Sequence, residues 1–360
     1  MKKVGIITFN RAINYGAILQ TYALNKFLNN NKFDCETIDY CCDYIKNEYS
    51  LISFKNKSLK KNINAMLNFK NNLQRKNKFN AFIKNNIKLS SATYNKENIS
   101  LANNVYNSFI TGSDQVWNIE LCNDENYYLP FVKNNKKISY AASFGNVEII
   151  KKYSKLIENN LKSYDLVTVR EKSAVTELKK YYDIDSKNVL DPTFLLDASD
   201  WNKILQPTTL NEKYIVMYVL HEESAYGVAE QISNNTKLPV YIITQSRKKR
   251  IKGKYIRNAG PIDFLNLIKN AEYVVTDSFH GTALSIIFRK NLKVVLKKSN
   301  IFLNDRLTSV LKLFDLERCI VSNDSNITLL TENTDYSKSE KMIKNNIKES
   351  QKILLASLNS

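Results

Sequence analysis

The sequence predicts an α/β protein built from parallel sheets flanked by helices, and three observations carry that expectation. Short β-branched or aromatic runs alternate with apolar-periodic helical stretches along most of the chain, the signature of repeated right-handed β-α-β crossovers. The 360 residues include 43% hydrophobic and 11% aromatic side chains, enough for two domains with cores of their own. The stretch 271–288 reads as strand, tight turn and helix: Tyr273-Val274-Val275 suits a buried strand, and 282–288 is apolar enough to pack back onto the sheet. One of only two histidines, His280, stands at that turn, and the carboxyl end of a strand is where open α/β sheets hold ligands.

The first series of elements begins with a strand over 4–9, a helix over 16–27 and a strand over 35–40. A basic, Asn-rich region from about 45 to 98 shows helical spacing at Ile63, Met66 and Leu67 and again at Phe79, Phe82 and Ile83. It is expected to insert helices that cover the domain or its cleft. Strands over 108–111, 137–143, 166–169 and 188–190 follow, with helices over 147–161 and 173–181. Asp191-Pro192-Thr193 and the run 197–201 mark a boundary, so domains are expected at 1–200 and 201–336. The second series has strands over 214–220, 240–244, 255–257, 274–276 and 293–296, and helices over 224–233, 261–268, 282–288 and 305–314. A last amphipathic helix, within 337–360, is expected to cross back to the first domain. Two such Rossmann-like domains facing a cleft resemble the GT-B architecture.

The net charge of +18 invites a polyanion-binding reading, because Lys and Arg attract phosphate backbones and release counterions. The excess is spread through Lys- and Asn-rich segments such as 55–62 and 68–80, however, with no arginine cluster on a recognisable nucleic-acid module. Solvated helix faces are therefore expected and nucleic acid is not; peripheral contact with an anionic membrane is a softer alternative. The apolar stretch 4–9 ends at Asn10 and Arg11, too short for a secretory core or a membrane span, so a cytoplasmic location is expected. The five cysteines (Cys35, Cys41, Cys42, Cys122, Cys319) are odd in number and lack metal-ligand spacing, which suits reduced thiols. Asp183-Ile184-Asp185 lacks a third ligand, so no metal is expected. No glycine-rich phosphate loop occurs, which argues against a kinase or a nicotinamide enzyme.

Several segments, in order, carry a more specific signal: Gly5-Ile6-Ile7-Thr8-Phe9 with Asn14-Tyr15-Gly16-Ala17, Gln20 and Tyr22-Ala23-Leu24; then Thr111-Gly112-Ser113-Asp114-Gln115-Val116-Trp117-Asn118; Tyr140-Ala141-Ala142-Ser143-Phe144-Gly145; Val169-Arg170-Glu171-Lys172-Ser173; Leu190-Asp191-Pro192-Thr193; and Asp277 to Gly281, with Asn304-Asp305-Arg306-Leu307 as a weaker tail. Together they resemble the polysaccharide pyruvyl transferase family over roughly residues 1–320. The resemblance implies transfer of a pyruvyl group from phosphoenolpyruvate, as donor substrate and without a cofactor, onto two hydroxyls of one sugar in a surface-polysaccharide precursor. A ketal forms and phosphate leaves. The acceptor is lipid-linked or nucleotide-linked.

That chemistry needs a proton for the donor's methylene carbon, a base for the incoming hydroxyl, and cations for a carboxylate and a phosphate. His280 is the candidate acid, against a bland role as a helix-start histidine; His221, also after a strand, is read as structural or peripheral. Arg170, just past a strand, suits a two-pronged clamp on the donor, against an ion pair with Glu171 or a neighbour. Arg306 is a weaker donor-side candidate. Some relatives carry an arginine two positions before the histidine, where this chain has Ser278; Ser278, the amides around Gly281 and Thr282, or Lys297 or Lys298 are the candidate replacements. On the acceptor side Asp114 is a base or hydroxyl-binding group, against a helix N-cap, with Ser113 and Gln115 beside it. Trp117 stacks on a sugar face or sits in the core. Asn14, Tyr15 and Gly16 line a cleft or only begin a helix. Rival readings are a nucleotide-sugar glycosyltransferase, resting on architecture alone, and a non-catalytic basic polyanion-binding protein.

Overall fold

A computed structural model describes residues 2–48, 67–207, 210–297 and 304–359. They divide into two units, the first within Met1–Asn62, Asn80–Leu196 and Asn345–Ser360, the second within Ile63–Phe79 and Asp197–Lys344.

The first unit is built on a sheet of β1 (Lys3–Ile7), β2 (Asp34–Tyr40), β3 (Leu89–Tyr94), β4 (Ser108–Thr111) and β5 (Lys136–Ser139), in the order β3-β2-β1-β4-β5. Every pairing is parallel. β4 is buried along its whole length, as a strand covered on both faces must be. A two-stranded parallel ladder, β6 (Val167–Val169) with β7 (Ser186–Asn188), extends this sheet through bridges from Ile138 to Leu166 and from Ala142 to Val169. The Tyr15–Asn30 helix is buried over thirteen of its residues and is capped by Asn14, whose side chain accepts from the Ala17 amide. The last helix, Ser339–Asn359, contributes its end to this unit. Ser350 Oγ there accepts from the Leu190 amide at 3.1 Å, and Gln351 donates to the Leu195 carbonyl at 3.1 Å.

The second unit repeats the plan with β8 (Ile215–Tyr218), β9 (Val240–Ile243), β10 (Lys254–Ile256), β11 (Tyr273–Thr276) and β12 (Asn291–Val294), in the order β10-β9-β8-β11-β12 and again all parallel. Numbered within each unit, both sheets run 3-2-1-4-5. This is the doubly wound arrangement whose strand order reverses between the first and fourth strands, and ligands bind at that reversal, outside the strands' carboxyl ends. The expected α/β class with two Rossmann-like sheets is what the fold shows.

Three details differ from the sequence expectation. Region 45–98 is not purely helical: beside the Asp43–Glu48 and Phe69–Asn86 helices it supplies β3, while Ile63 and Met66 lie outside the described residues. β3 is an edge strand of mostly polar residues with only Tyr94 buried, so it lacks the apolar alternation that marks a strand. The helix expected over 147–161 breaks at Tyr153 into Glu148–Lys152 and Ser154–Leu161. β7 lies two residues ahead of its expected position.

Among the described residues no helix is long and apolar enough to cross a membrane, and no group of His, Cys, Asp and Glu is arranged to hold a metal ion. Asp183 and Asp185 both bind Lys179 Nζ, at 2.6 and 2.9 Å. All five cysteines are free thiols.

Candidate functional site

In the first unit the reversal falls between β1 and β4, and the quoted motifs are tied together there by hydrogen bonds. Gln20 donates to Thr8 Oγ1 at 2.9 Å, Thr8 Oγ1 to the Ser113 carbonyl at 2.8 Å, and Ser113 Oγ to Asp191 Oδ2 at 3.0 Å. Arg170 donates to the same Asp191 oxygen at 3.1 Å, while Asp191 Oδ1 accepts from the Thr193 amide and hydroxyl. Next to it, Ser143 Oγ bonds Glu171 and receives the Gly145 amide at 3.0 Å. Five segments distant in sequence thus meet on one buried polar node, with Asp191 at its centre. Sequence reasoning quoted Asp191 within a motif and gave it no role, because its partners come from other loops.

Burial sorts the predicted acceptor groups. Trp117 is fully buried, stacked on Tyr128 with ring centroids 5.7 Å apart, and its indole donates to the Tyr127 carbonyl at 3.1 Å. It has no face to offer a sugar and is a core residue, since this large apolar ring gains most from burial among the aromatic cluster. Ser113 and Tyr15 are buried too, and Ser113 is committed to Asp191. Asn14 acts as a helix cap, with Gly16 buried in the first turn. Asp114 and Gln115 remain half-exposed. Asp114 sits at φ +76°, held by the Ser143 amide on its carbonyl at 3.0 Å and bridged to Ala142, and the preceding Ala141 has φ +52°. Each such left-handed residue stores about 1–3 kcal/mol, and strain of this kind clusters at ligand sites. Gly145, at φ +72°, lets Gln115 approach: a Cβ there would lie 2.3 Å from Gln115 Oε1.

Arg170, expected as a donor clamp or an ion-paired residue, is buried and ion-paired. Its side chain is only 3% exposed and is ion-paired with Asp191, with Glu171 at 4.0 Å. Burial opposes its charge, but Asp191, Glu171 and Asp114 outweigh that and hold its pKa above the ordinary value. An ion pair through Nη1 to Asp191 holds it, in a buried rather than a surface form.

In the second unit the reversal lies between β8 and β11. The Asp277 carboxylate, just past β11, accepts the backbone amides of Leu220, His221 and Glu222 at 2.6, 2.7 and 2.8 Å. This ties the loop after β8 to the turn that carries the histidine. Ser278 caps the Phe279–Ile287 helix: its Oγ accepts from the Gly281 amide at 3.4 Å and its carbonyl from the Thr282 amide at 2.9 Å. The two amides expected to bind an anion are therefore bonded within the helix start. His280, 8% exposed, lies edge-on to Phe279 with centroids 5.2 Å apart.

Cations gather at the same end of this sheet. The His221 imidazole is exposed but partly desolvated and sits below its ordinary pKa, first through that desolvation and then because Lys297 and Arg306 oppose its charge, against the pull of Asp277. The Lys297 amine is lowered likewise, by burial first and by Arg306, with Asp277 and Glu222 acting the other way. His221 was read as peripheral, and only the fold reveals that three strand ends bring it to Lys297 and Arg306. Lys298 lies outside the described residues. A groove of about 680 Å³ in the first unit, lined by Lys136, Asp165, Lys187 and Lys352 among others, lies at the amino ends of β5 and β6, away from the Asp191 node of the same unit.

Comparison with solved structures finds the UDP-GlcNAc 2-epimerase of Methanocaldococcus jannaschii, 12% identical with a TM-score of 0.57, covering 99% of this chain and 100% of that one. The same enzyme in complex with UDP-GlcNAc and UDP gives 13% identity, a TM-score of 0.54 and the same coverage. At that identity the likeness speaks for the fold alone. Comparison with curated proteins finds none that matches the sequence. A model of the family described as polysaccharide pyruvyl transferase matches residues 14–292, from the cap of the first helix into β12. Apart from Thr8, the polar node of the first unit falls within that span, as does the Asp277–Gly281 turn of the second, and the chain belongs to the polysaccharide pyruvyl transferase family and is a transferase.

Proposed function

We propose that the protein moves the pyruvyl group of phosphoenolpyruvate onto two hydroxyls of one sugar in a cell-surface polysaccharide precursor. In this reading His280 gives a proton to the donor's methylene carbon, which becomes the methyl group and leaves C2 electron-poor. One sugar hydroxyl adds to C2 and gives its proton to the base, assigned to the Asp114 carboxylate. The second hydroxyl then adds as the C–O bond to phosphate breaks, its proton leaving with the phosphate, so that a ketal and inorganic phosphate result. His280, Ser278, Gly281, Thr282 and Arg306 are assigned to the donor, in the second unit; Asp114, Gln115 and Asn14, in the first, are assigned to the acceptor. Ser278, Gly281 and Thr282 act by shaping the turn that aims the histidine.

The observation that carries this reading is the family match across residues 14–292, supported by the place of His280 just past the carboxyl end of β11. The test is incubation with phosphoenolpyruvate and candidate sugar acceptors, following inorganic phosphate. Phosphate release that depends on acceptor is expected. Release of UDP from a nucleotide sugar, with phosphoenolpyruvate inert, would reject the donor.

A further inference from the structure

The cations of the second unit are held in place by backbone ties. The loop after β8 is fixed by the three amides that Asp277 accepts, which sets His221 at the carboxyl end of that strand. Beyond β12, the Lys297 amide donates to Asn304 Oδ1 at 3.0 Å and Asn304 Nδ2 returns a bond to the Lys297 carbonyl at 2.9 Å. This reciprocal clamp, made by a buried asparagine, joins the end of β12 to the start of the Asp305–Leu313 helix, where Arg306 is the second residue. β8, β11 and β12 are adjacent in the sheet, so His221, the His280 turn, and Lys297 with Arg306 issue from three neighbouring strand ends.

Bringing three basic groups together disfavours the charge of each. Asp277 and Glu222 offset part of this, Asp277 at both His221 and Lys297 and Glu222 at Lys297, but both are shared: Asp277 also accepts three amides and Glu222 the Ser224 amide and hydroxyl, while Asp305 accepts from Ser309. A multiply charged anion relieves the repulsion and gains charge-assisted hydrogen bonds.

We propose that His221, Lys297 and Arg306 form the phosphate pocket of the second unit, and that His221 takes up a proton as a phosphate dianion binds. The proposal rests on the assignment of the donor to this unit and adds which side chains receive its phosphate. His280, in the neighbouring turn, keeps its separate role. The sign follows from the charges. In the free protein desolvation first, and then Lys297 and Arg306 against the pull of Asp277, disfavour the His221 imidazolium; the bound dianion favours it, so affinity falls as pH rises through the pKa of the complex.

The test is titration calorimetry of the full chain with inorganic phosphate, in buffers of different ionisation enthalpy. Wild type is expected to take up a larger fraction of a proton per phosphate than His221→Gln. Lys297→Gln and Arg306→Gln are each expected to weaken phosphate binding about ten- to a hundredfold, the loss of one charge-assisted contact. Lys312→Gln, an exposed residue of the same helix, controls for net charge and is expected to leave affinity unchanged. If phosphate binds with these dependences while phosphoenolpyruvate is inert, the pocket stands and the donor reading falls. If phosphoenolpyruvate turns over but the three variants bind phosphate like wild type with unchanged proton uptake, the pocket is overturned and the donor reading stands.

Discussion

Gly281 shows how one missing Cβ sets the turn on which His280 stands. A Cβ there would lie 2.5 Å from Thr276 Oγ1, and that hydroxyl is already engaged, donating to the Tyr218 carbonyl at 2.6 Å and accepting from the Ser278 amide at 3.0 Å. Thr276 cannot swing away without releasing β8 or the cap, so Gly281→Ala is expected to cost about 1–3 kcal/mol by overpacking, read from chemical denaturation; a change within about 0.5 kcal/mol would mean the turn relaxes at no cost. His280 was legible in the sequence because rare residue type, strand end and turn coincide. His280→Ala is expected to keep its fold and lose roughly 10²- to 10⁴-fold in turnover, the worth of a positioned general acid. Retention of turnover within a few-fold of wild type would remove it from the reaction. The burial of Arg170 and Trp117 was not legible for one shared reason: sequence position locates a residue next to a strand end but does not say whether its side chain turns into the core.

Two aspartates do the same work at the level of elements. Asp191 collects Ser113, Arg170 and Thr193 in the first unit, and Asp277 collects three amides in the second. Each lies within a quoted motif without having drawn a role of its own, and each fastens loops together. Neither role was legible, because the partners lie 78 residues away for Ser113 and 56 for His221, and spacing along the chain says nothing about contacts of that range. Asp191→Asn removes the charge facing a guanidinium that is almost entirely buried. Leaving a buried cation uncompensated costs about 3–5 kcal/mol, so this variant is expected to be much less stable to urea than wild type. A loss below about 1 kcal/mol would show that Glu171 and Asp114 suffice to hold Arg170.

For the whole molecule, the sequence conveyed the alternation of strands and helices because both sheets are covered on both faces, and fully covered strands read as β-branched runs such as Val274-Val275 or Ile215-Val216. Edge strands such as β3 were lost because solvent lets them be polar. Each unit has its own core: one cluster gathers Ile7, Trp117, Tyr127, Phe144 and Leu178, the other Met217, Val228, Ile232, Val275 and Leu330. No residue is common to the two clusters, and cooperativity comes from shared burial. Scanning calorimetry is therefore expected to give heat absorption that a single two-state transition cannot fit. The two fasteners supply the assignment. Asp191→Asn weakens only the first core and Asp277→Asn only the second, so each is expected to lower a different component, by about 2–4 °C per kcal/mol lost for units of this size. Should both variants displace one and the same transition by similar amounts, the two cores melt together, and interactions beyond the separate clusters govern the stability of the chain.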